Sequence, residues 1–227
     1  MNSASLPVLN GSVYITGQGD YFMTDGKPTV KRGRKFDQVL SGARDIFMAD
    51  GFEGASVDDI AKAAGVSKAT LYSYFPDKRL LFMEVAKTEC VRQADSAIEA
   101  IDMSEPAGKV LTQAAWQMVC FFTSDFGQRV FRLCVAESDR FPELGREFYQ
   151  SGPALVREKL VNFLKVAISR GELEIDDLTL AADQFSELCK ADLFPRLIFS
   201  MDTAFDDTQK ERIVTGAVQT FLARYAV

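Results

Sequence analysis

The stretch Ser56-Val57-Asp58-Asp59-Ile60-Ala61-Lys62-Ala63-Ala64-Gly65-Val66-Ser67-Lys68-Ala69-Thr70-Leu71-Tyr72-Ser73-Tyr74-Phe75 decides how this chain folds. Ser56 to Asp59 has the form of a capping box, with Asp in place of the usual Glu or Gln, and opens a short helix. Ile60, Ala61 and Ala64 supply its apolar face. Gly65 makes a turn, Val66 plugs the angle, and Ser67 caps a second helix that runs from Lys68 to Phe75. Pro76 stops that helix, because proline disfavours helix in the residue before it and lacks an N–H. Leu71 and Phe75 lie one turn apart and face inward. Lys68, Ala69, Thr70, Ser73 and Tyr74 are left on the outer surface. Two short helices joined by a tight turn, the second exposing small, hydroxyl, aromatic and basic groups, are how a helix-turn-helix presents one helix to the major groove of DNA.

Towards the N-terminus, Phe36 to Asp50 is amphipathic, with Phe36, Val39, Leu40, Ala43, Ile46 and Phe47 at helical spacing. Gly51 stands where a left-handed cap is wanted. Lys31, Arg32, Arg34 and Lys35 precede that helix. They fit an arm that follows a DNA backbone or enters the minor groove, and they fit a solvated linker equally well. Met1 to about Thr29 reads as a flexible extension, residues 1–30; Ser12 to Thr16 could form a stray strand, and a short hairpin is possible within the extension. Beyond Pro76, Asp77 is placed to cap a long helix from Lys78 to Ala100. Further helices are expected near Pro106–Ser124, Gln128–Asp139, Pro142–Arg170 with a break at Gly152-Pro153, Asp176–Phe199 kinked or ended by Pro195, and Asp206–Tyr225. The fold class is all-α.

The 227 residues are 47% hydrophobic and 26% charged, which suits a globular protein. No run of 18 apolar residues offers a transmembrane helix, and the N-terminus has no secretory pattern, so a cytoplasmic location and no membrane partner are expected. The chain has no histidine. This removes histidine triads and the common zinc sets, and with no Gly-rich phosphate loop an enzyme or cofactor reading has no support. Cys90, Cys120, Cys134 and Cys189 form no CxxC pair and read as reduced, buried thiols; the alternative is a thiol-based redox sensor, which needs a lowered thiol pKa. Net charge is −6, but 11 basic and 9 acidic residues lie between Lys31 and Arg92, against 14 basic and 21 acidic from Gln93 onward. The basic excess therefore sits with the helix-turn-helix.

On that surface Lys68 can donate to guanine O6 and N7, while Ala69 and the Thr70 methyl can touch a thymine methyl. Tyr72, Tyr74 and Lys78 suit phosphates, as do Ser56 and Ser67 at helix N-termini. With Lys35 these form the candidate DNA surface. Residues Phe36 to Leu81 resemble the N-terminal domain of the tetracycline-repressor (TetR) family of bacterial transcriptional regulators. Ala43, Phe47, Gly51, Phe52, Ser56, Ile60, Ala61, Ala64, Gly65, Val66, Ser67, Thr70, Leu71, Tyr72, Tyr74, Phe75, Lys78 and Leu81 carry the match. The resemblance implies some nine helices: a three-helix DNA-binding domain at 31–80, and a ligand-binding and dimerisation domain at 81–227. It implies a homodimer on a palindromic operator of double-stranded DNA, with phosphate contacts at Ser56, Thr70, Tyr72 and Lys78 and base contacts at Lys68, Ala69 and Tyr74. Ser56 departs mildly, since the family often has threonine there. Phe131 to Phe148 and Phe185 to Phe194 resemble the AefR-like type of C-terminal domain.

In the second half Trp116, Phe122, Phe126, Phe131, Phe163 and Phe185 form a candidate pocket for a small hydrophobic effector; ordinary core packing is the alternative for each. Arg132, Glu137 or Gln117 could give the polar contact. The last helix carries a wide apolar stripe, and with the preceding helix it implies a two-fold, four-helix interface through Leu193, Leu197, Val214, Val218, Phe221 and Leu222.

Overall fold

The computed structural model describes the backbone of Tyr14–Ile15 and Tyr21–Phe22, residues 33–202 and residues 204–227; the side chain of Ile98 lies outside the description. β1 (Tyr14–Ile15) and β2 (Tyr21–Phe22) pair antiparallel, Tyr14 opposite Phe22, within the stretch where a strand or hairpin was expected. The rest of the N-terminal extension, with Lys31 and Arg32, lies outside the described residues. The chain divides into two compact units, Met1–Phe82 and Met83–Val227.

In the first unit, α1 (Arg34–Gly54) starts two residues before the expected helix, so Arg34 and Lys35 are helical residues and not part of an extended arm. Its helical path breaks at Gly51, where φ is 72°. The buried residues Phe36, Val39, Ala43 and Phe47 recur on one face and turn it inward. α2 (Val57–Ala63) and α3 (Lys68–Tyr74) follow. Gly65 turns the chain between them at φ 64°, a conformation that costs a Cβ-bearing residue strain. Ile60, Leu71, Phe75, Leu81 and Phe82 close the core, with rings of Phe36 and Phe75 5.4 Å apart and those of Phe47 and Phe82 5.0 Å apart. Burying each such side chain is worth about 1.5–3 kcal/mol. α4 (Lys78–Glu99) begins in this unit and continues into the second.

The second unit holds α5 (Ala107–Thr123), α6 (Asp125–Glu137), α7 (Pro142–Tyr149), α8 (Leu155–Ser169), α9 (Leu178–Leu188), α10 (Leu193–Ile198) and α11 (Asp207–Tyr225). Ser124 caps α6, Asp177 caps α9, and Asp206 with Gln209 closes a capping box on α11. α11 packs along α5 and α8 along α9, burying Val110, Leu111, Ala115, Leu164, Ala182, Phe185, Val214 and Phe221 among others. Two expected helices are each divided, which is why the helix numbering reaches α11 where the resemblance implies some nine. The Gly152-Pro153 break is a π-helical turn over Gln150–Ala154 that passes straight into α8. The other division falls before Pro195, between α9 and α10, where Asp192 takes φ 63°. Pro195 lies in the first turn of α10, where a missing N–H costs nothing.

Candidate nucleic-acid interface and effector region

The candidate DNA surface is built almost entirely from contacts between near neighbours in sequence. Ser56 caps α2: its Oγ accepts from the Asp59 N–H at 3.0 Å and donates to the Asp59 carboxylate, so serine meets its box partner side chain to side chain. Ser67 caps α3, with its Oγ accepting from the Thr70 N–H at 3.1 Å and lying 2.9 Å from the Thr70 hydroxyl. Ser73 donates to the Thr70 carbonyl at 2.7 Å. The Lys68 ammonium forms an ion pair with Asp58, and both side chains are mostly exposed, 59% and 63%. Lys35, Ser56, Ser67, Lys68, Ala69 and Tyr72 are exposed, whereas Thr70, Tyr74 and Lys78 are half-buried. Tyr74 rests edge-on against Phe36, with ring centres 5.7 Å apart.

Lys78 does something that spacing did not suggest. Its Nζ donates to the carbonyls of Phe52 at 2.8 Å and Ala55 at 3.1 Å and lies 4.4 Å from the centre of the Phe52 ring. It fastens the chain that follows the Gly51 break to the start of α4. An ammonium has three N–H donors, so one remains after these two bonds.

The six aromatic candidates of the second unit do not line one cavity. Phe163 and Phe185 are core residues, Phe185 against Phe221 at 5.1 Å. Phe122, Phe126 and Phe131 belong instead to a connected series of half-buried rings. Phe126 touches Phe121, Phe121 touches Phe122, and Phe122 and Phe131 both touch Phe194, at 5.9 and 5.0 Å. Phe131 also meets Phe148. Phe194 is not among the sequence candidates; its aromatic character beside Leu193 is the one signal that marks it. The Lys190 ammonium lies 5.3 Å from the Phe122 ring centre and 5.8 Å from that of Phe194. Trp116 packs half-buried on the main core. Of the expected polar contacts, Arg132 donates to the Leu197 carbonyl.

The expected interface residues also need correction. Leu193, Leu197, Val214, Val218 and Phe221 are buried within the protomer, and Leu222 packs half-buried against the same core. A helical stripe that is apolar on this scale fills its own domain first. The open surface of α9 and α11 is a groove of about 600 Å³ whose lining includes Leu180, Gln184, Leu188, Thr220, Arg224 and Tyr225. Leu180 is 52% exposed there.

All four thiols are pushed towards the neutral form. Burial raises Cys90, Cys134 and Cys189 to about 12, and it raises Cys120 too. Among the described residues no helix is long and apolar enough to cross a membrane.

A chain whose elements from Arg34 to Tyr225 are all helices, with a capped helix-turn-helix ahead of a larger helical unit, defines a DNA-binding transcriptional regulator. Residues 39–85 match the family described as bacterial regulatory proteins, tetR family, and residues 109–227 match the AefR-like transcriptional repressor, C-terminal domain. The chain belongs to the TetR family, with an AefR-like C-terminal domain. It is similar to the HTH-type transcriptional regulator YdeS of Bacillus subtilis, 27% identical over 195 residues that cover 82% of this chain and 92% of that protein. Among solved structures it is similar to a TetR-family transcriptional regulator from Mesorhizobium loti, with a TM-score of 0.75, 28% identity, and coverage of 86% of this chain and 98% of that one. It is also similar to the Flavonoid-responsive Regulator FrrA, with a TM-score of 0.64, 34% identity and the same coverage. The family is one of transcriptional regulators rather than enzymes.

Proposed function

We propose that this protein is a homodimeric repressor that binds a palindromic operator and is released by a small, largely aromatic effector. The observation that carries the reading is the face of α3, where Lys68, Ala69 and Tyr72 stand exposed beside two capping serines. Lys68 supplies base donors, and Tyr72 and the helix N-termini at Ser56 and Ser67 supply phosphate contacts. Lys35 and the third Lys78 proton add to the phosphate set. A dimer would place two such helices in successive major grooves, about 34–36 Å apart.

The homodimer is assigned to the exposed face of α9 and α11 around Leu180, Leu188 and Tyr225, in place of the buried residues expected from the sequence. The effector reading rests on the ring series through Phe122, Phe131 and Phe194 with Lys190 beside it, and on the flavonoid response named for the similar regulator FrrA. A shift of α4, which is continuous between the units, would couple effector to operator; a coupling of about 1–3 kcal/mol lowers operator affinity 5- to 150-fold. The redox alternative has no support, because thiols pushed up by burial are the opposite of what a thiolate sensor needs.

The test is enrichment of duplexes from a randomised pool, followed by footprinting. The expected outcome is a palindromic site with a steep salt dependence. Recovery of no preferred sequence would overturn the reading.

A further inference from the structure

The ion pair at the reading face joins the one residue best suited to recognise guanine to a carboxylate on the neighbouring helix. Lys68 begins α3, and Asp58 lies in the first turn of α2, ten residues earlier. Both are exposed, so the pair forms at the surface that the proposed function turns towards DNA. A second acid repeats the pattern, since the Asp59 carboxylate accepts from the Ser56 hydroxyl. On this face, therefore, a cation and a hydroxyl that could meet nucleic acid are each engaged by an acidic side chain of α2.

We propose that Asp58 is a specificity-determining residue: it holds the Lys68 ammonium until base acceptors replace it, and so penalises DNA that lacks them. This rests on the operator-binding reading given above. On a matched site the ammonium exchanges a carboxylate for guanine O6 and N7, and the loss of one partner is made good by the other. On unmatched DNA the adjacent acceptors O6 and N7 are missing from that place, and a lone adenine N7 or thymine O4 is a poorer replacement for the carboxylate. Either the pair stays intact and contributes no net positive charge, or it breaks and leaves Asp58 uncompensated near the phosphates. Non-specific affinity comes almost wholly from positive charge against phosphate, so Asp58 lowers it more than it lowers operator affinity. The pair is exposed, which bounds the effect at a few-fold.

The experiment compares wild type, Asp58→Asn, Lys68→Gln and the double variant, all as full chains. Each is titrated against a duplex enriched by the wild-type protein and against the same duplex with its sequence shuffled. Asp58→Asn should tighten binding to the shuffled duplex more than to the enriched one, lowering the specificity ratio about two- to five-fold. In the Lys68→Gln background the same change should leave the ratio unaltered, because the partner it restrains is gone. Melting temperatures of the four proteins separate this from a folding defect, Asp58 being exposed. An unchanged or higher ratio in Asp58→Asn overturns the proposal, as does an equal fall in both backgrounds. Failure of the wild-type protein to enrich any duplex is a different result, and it overturns the operator reading itself.

Discussion

The two units hold their polar groups in different ways. In the first, the ties of the outward face of α2 and α3 are short in sequence: Ser56 to Asp59, Ser67 to Thr70 and Asp58 to Lys68, with Lys78 to Phe52 and Ala55 the longer exception. In the second, beside the helix caps, several ties span longer separations. Arg157 donates to Asp183 at 2.6 Å, Tyr225 donates to Gln184 at 2.8 Å, and Arg212 donates to Asp192 at 2.7 Å. The Ala107 N–H, at the start of α5, donates to Glu172. Short ties give a preformed surface whose groups are exposed and exchangeable, as a face that swaps partners on DNA requires. Long ties lock helices to one another, which suits a unit whose shape must be inherited by a partner or an effector.

The sharpest break between core and site falls among the aromatics of the second unit. Phe185 is 1% exposed and packed on Phe221, so Phe185→Ala should destabilise the protein by about 3–5 kcal/mol. Phe131→Ala removes a half-buried ring from the series through Phe194 and should cost clearly less while changing the response to aromatic compounds. Denaturant unfolding of both variants measures the contrast; equal losses would erase the distinction between core rings and effector rings.

Lys78 tests the first unit. Its ammonium joins two carbonyls and a ring, so Lys78→Ala should lower stability by about 1–3 kcal/mol in addition to weakening DNA binding. Thermal melting checks this. A variant that melts like wild type yet binds DNA poorly would make Lys78 a phosphate contact alone.

The thiols give a pH signature confined to the second unit, since all four cysteines lie beyond residue 82. In the unfolded chain a thiol deprotonates near 9, whereas burial holds Cys90, Cys134 and Cys189 protonated to about 12. The folded state therefore binds more protons above pH 9. The stabilisation is complete below that pH and is lost as pH rises from 9 towards 12, at up to about 1.4 kcal/mol per unit for each thiol. Urea unfolding across that range should show the loss reduced in Cys90→Ala, and the buried thiols should resist alkylation at pH 8. Rapid labelling of Cys90 under native conditions would contradict its burial.

Legibility in the sequence followed the same divide. Ser56, Gly65, Ser67 and Pro76 act through the backbone within a few residues, so a single window states both the helix ends and the outward side chains. Lys78 escaped because its partners, Phe52 and Ala55, precede it by 26 and 23 residues. In the second unit an apolar stripe has two readings, own core or partner. Spacing alone allows one side of the last helix to cover its own domain and the other to meet a partner, and packing on α5 and α9 takes Val214, Val218 and Phe221 inside. Phe194 was hidden by the division at Asp192, which creates a separate short helix where one helix over Asp176–Phe199, kinked or ended by Pro195, is expected from the sequence.

The smallest effect on the protomer should have a large effect on assembly. Leu180 is half exposed on α9 beside Leu188, Thr220 and Tyr225, so Leu180→Asp removes little buried area and should stay within about 0.5 kcal/mol of wild-type protomer stability. At a two-fold interface the same residue appears on both copies, and paired carboxylates in an apolar contact are unfavourable twice over. Sedimentation at micromolar concentration should then show a folded monomer, against the dimer expected of the wild type, and operator affinity should fall because two half-sites no longer act together. Val218→Asp, at a position 7% exposed, serves as the contrast: it should unfold the protein rather than dissociate it. If Leu180→Asp remains a dimer, the α9–α11 groove is not the interface, and the apolar surface of this unit has another use.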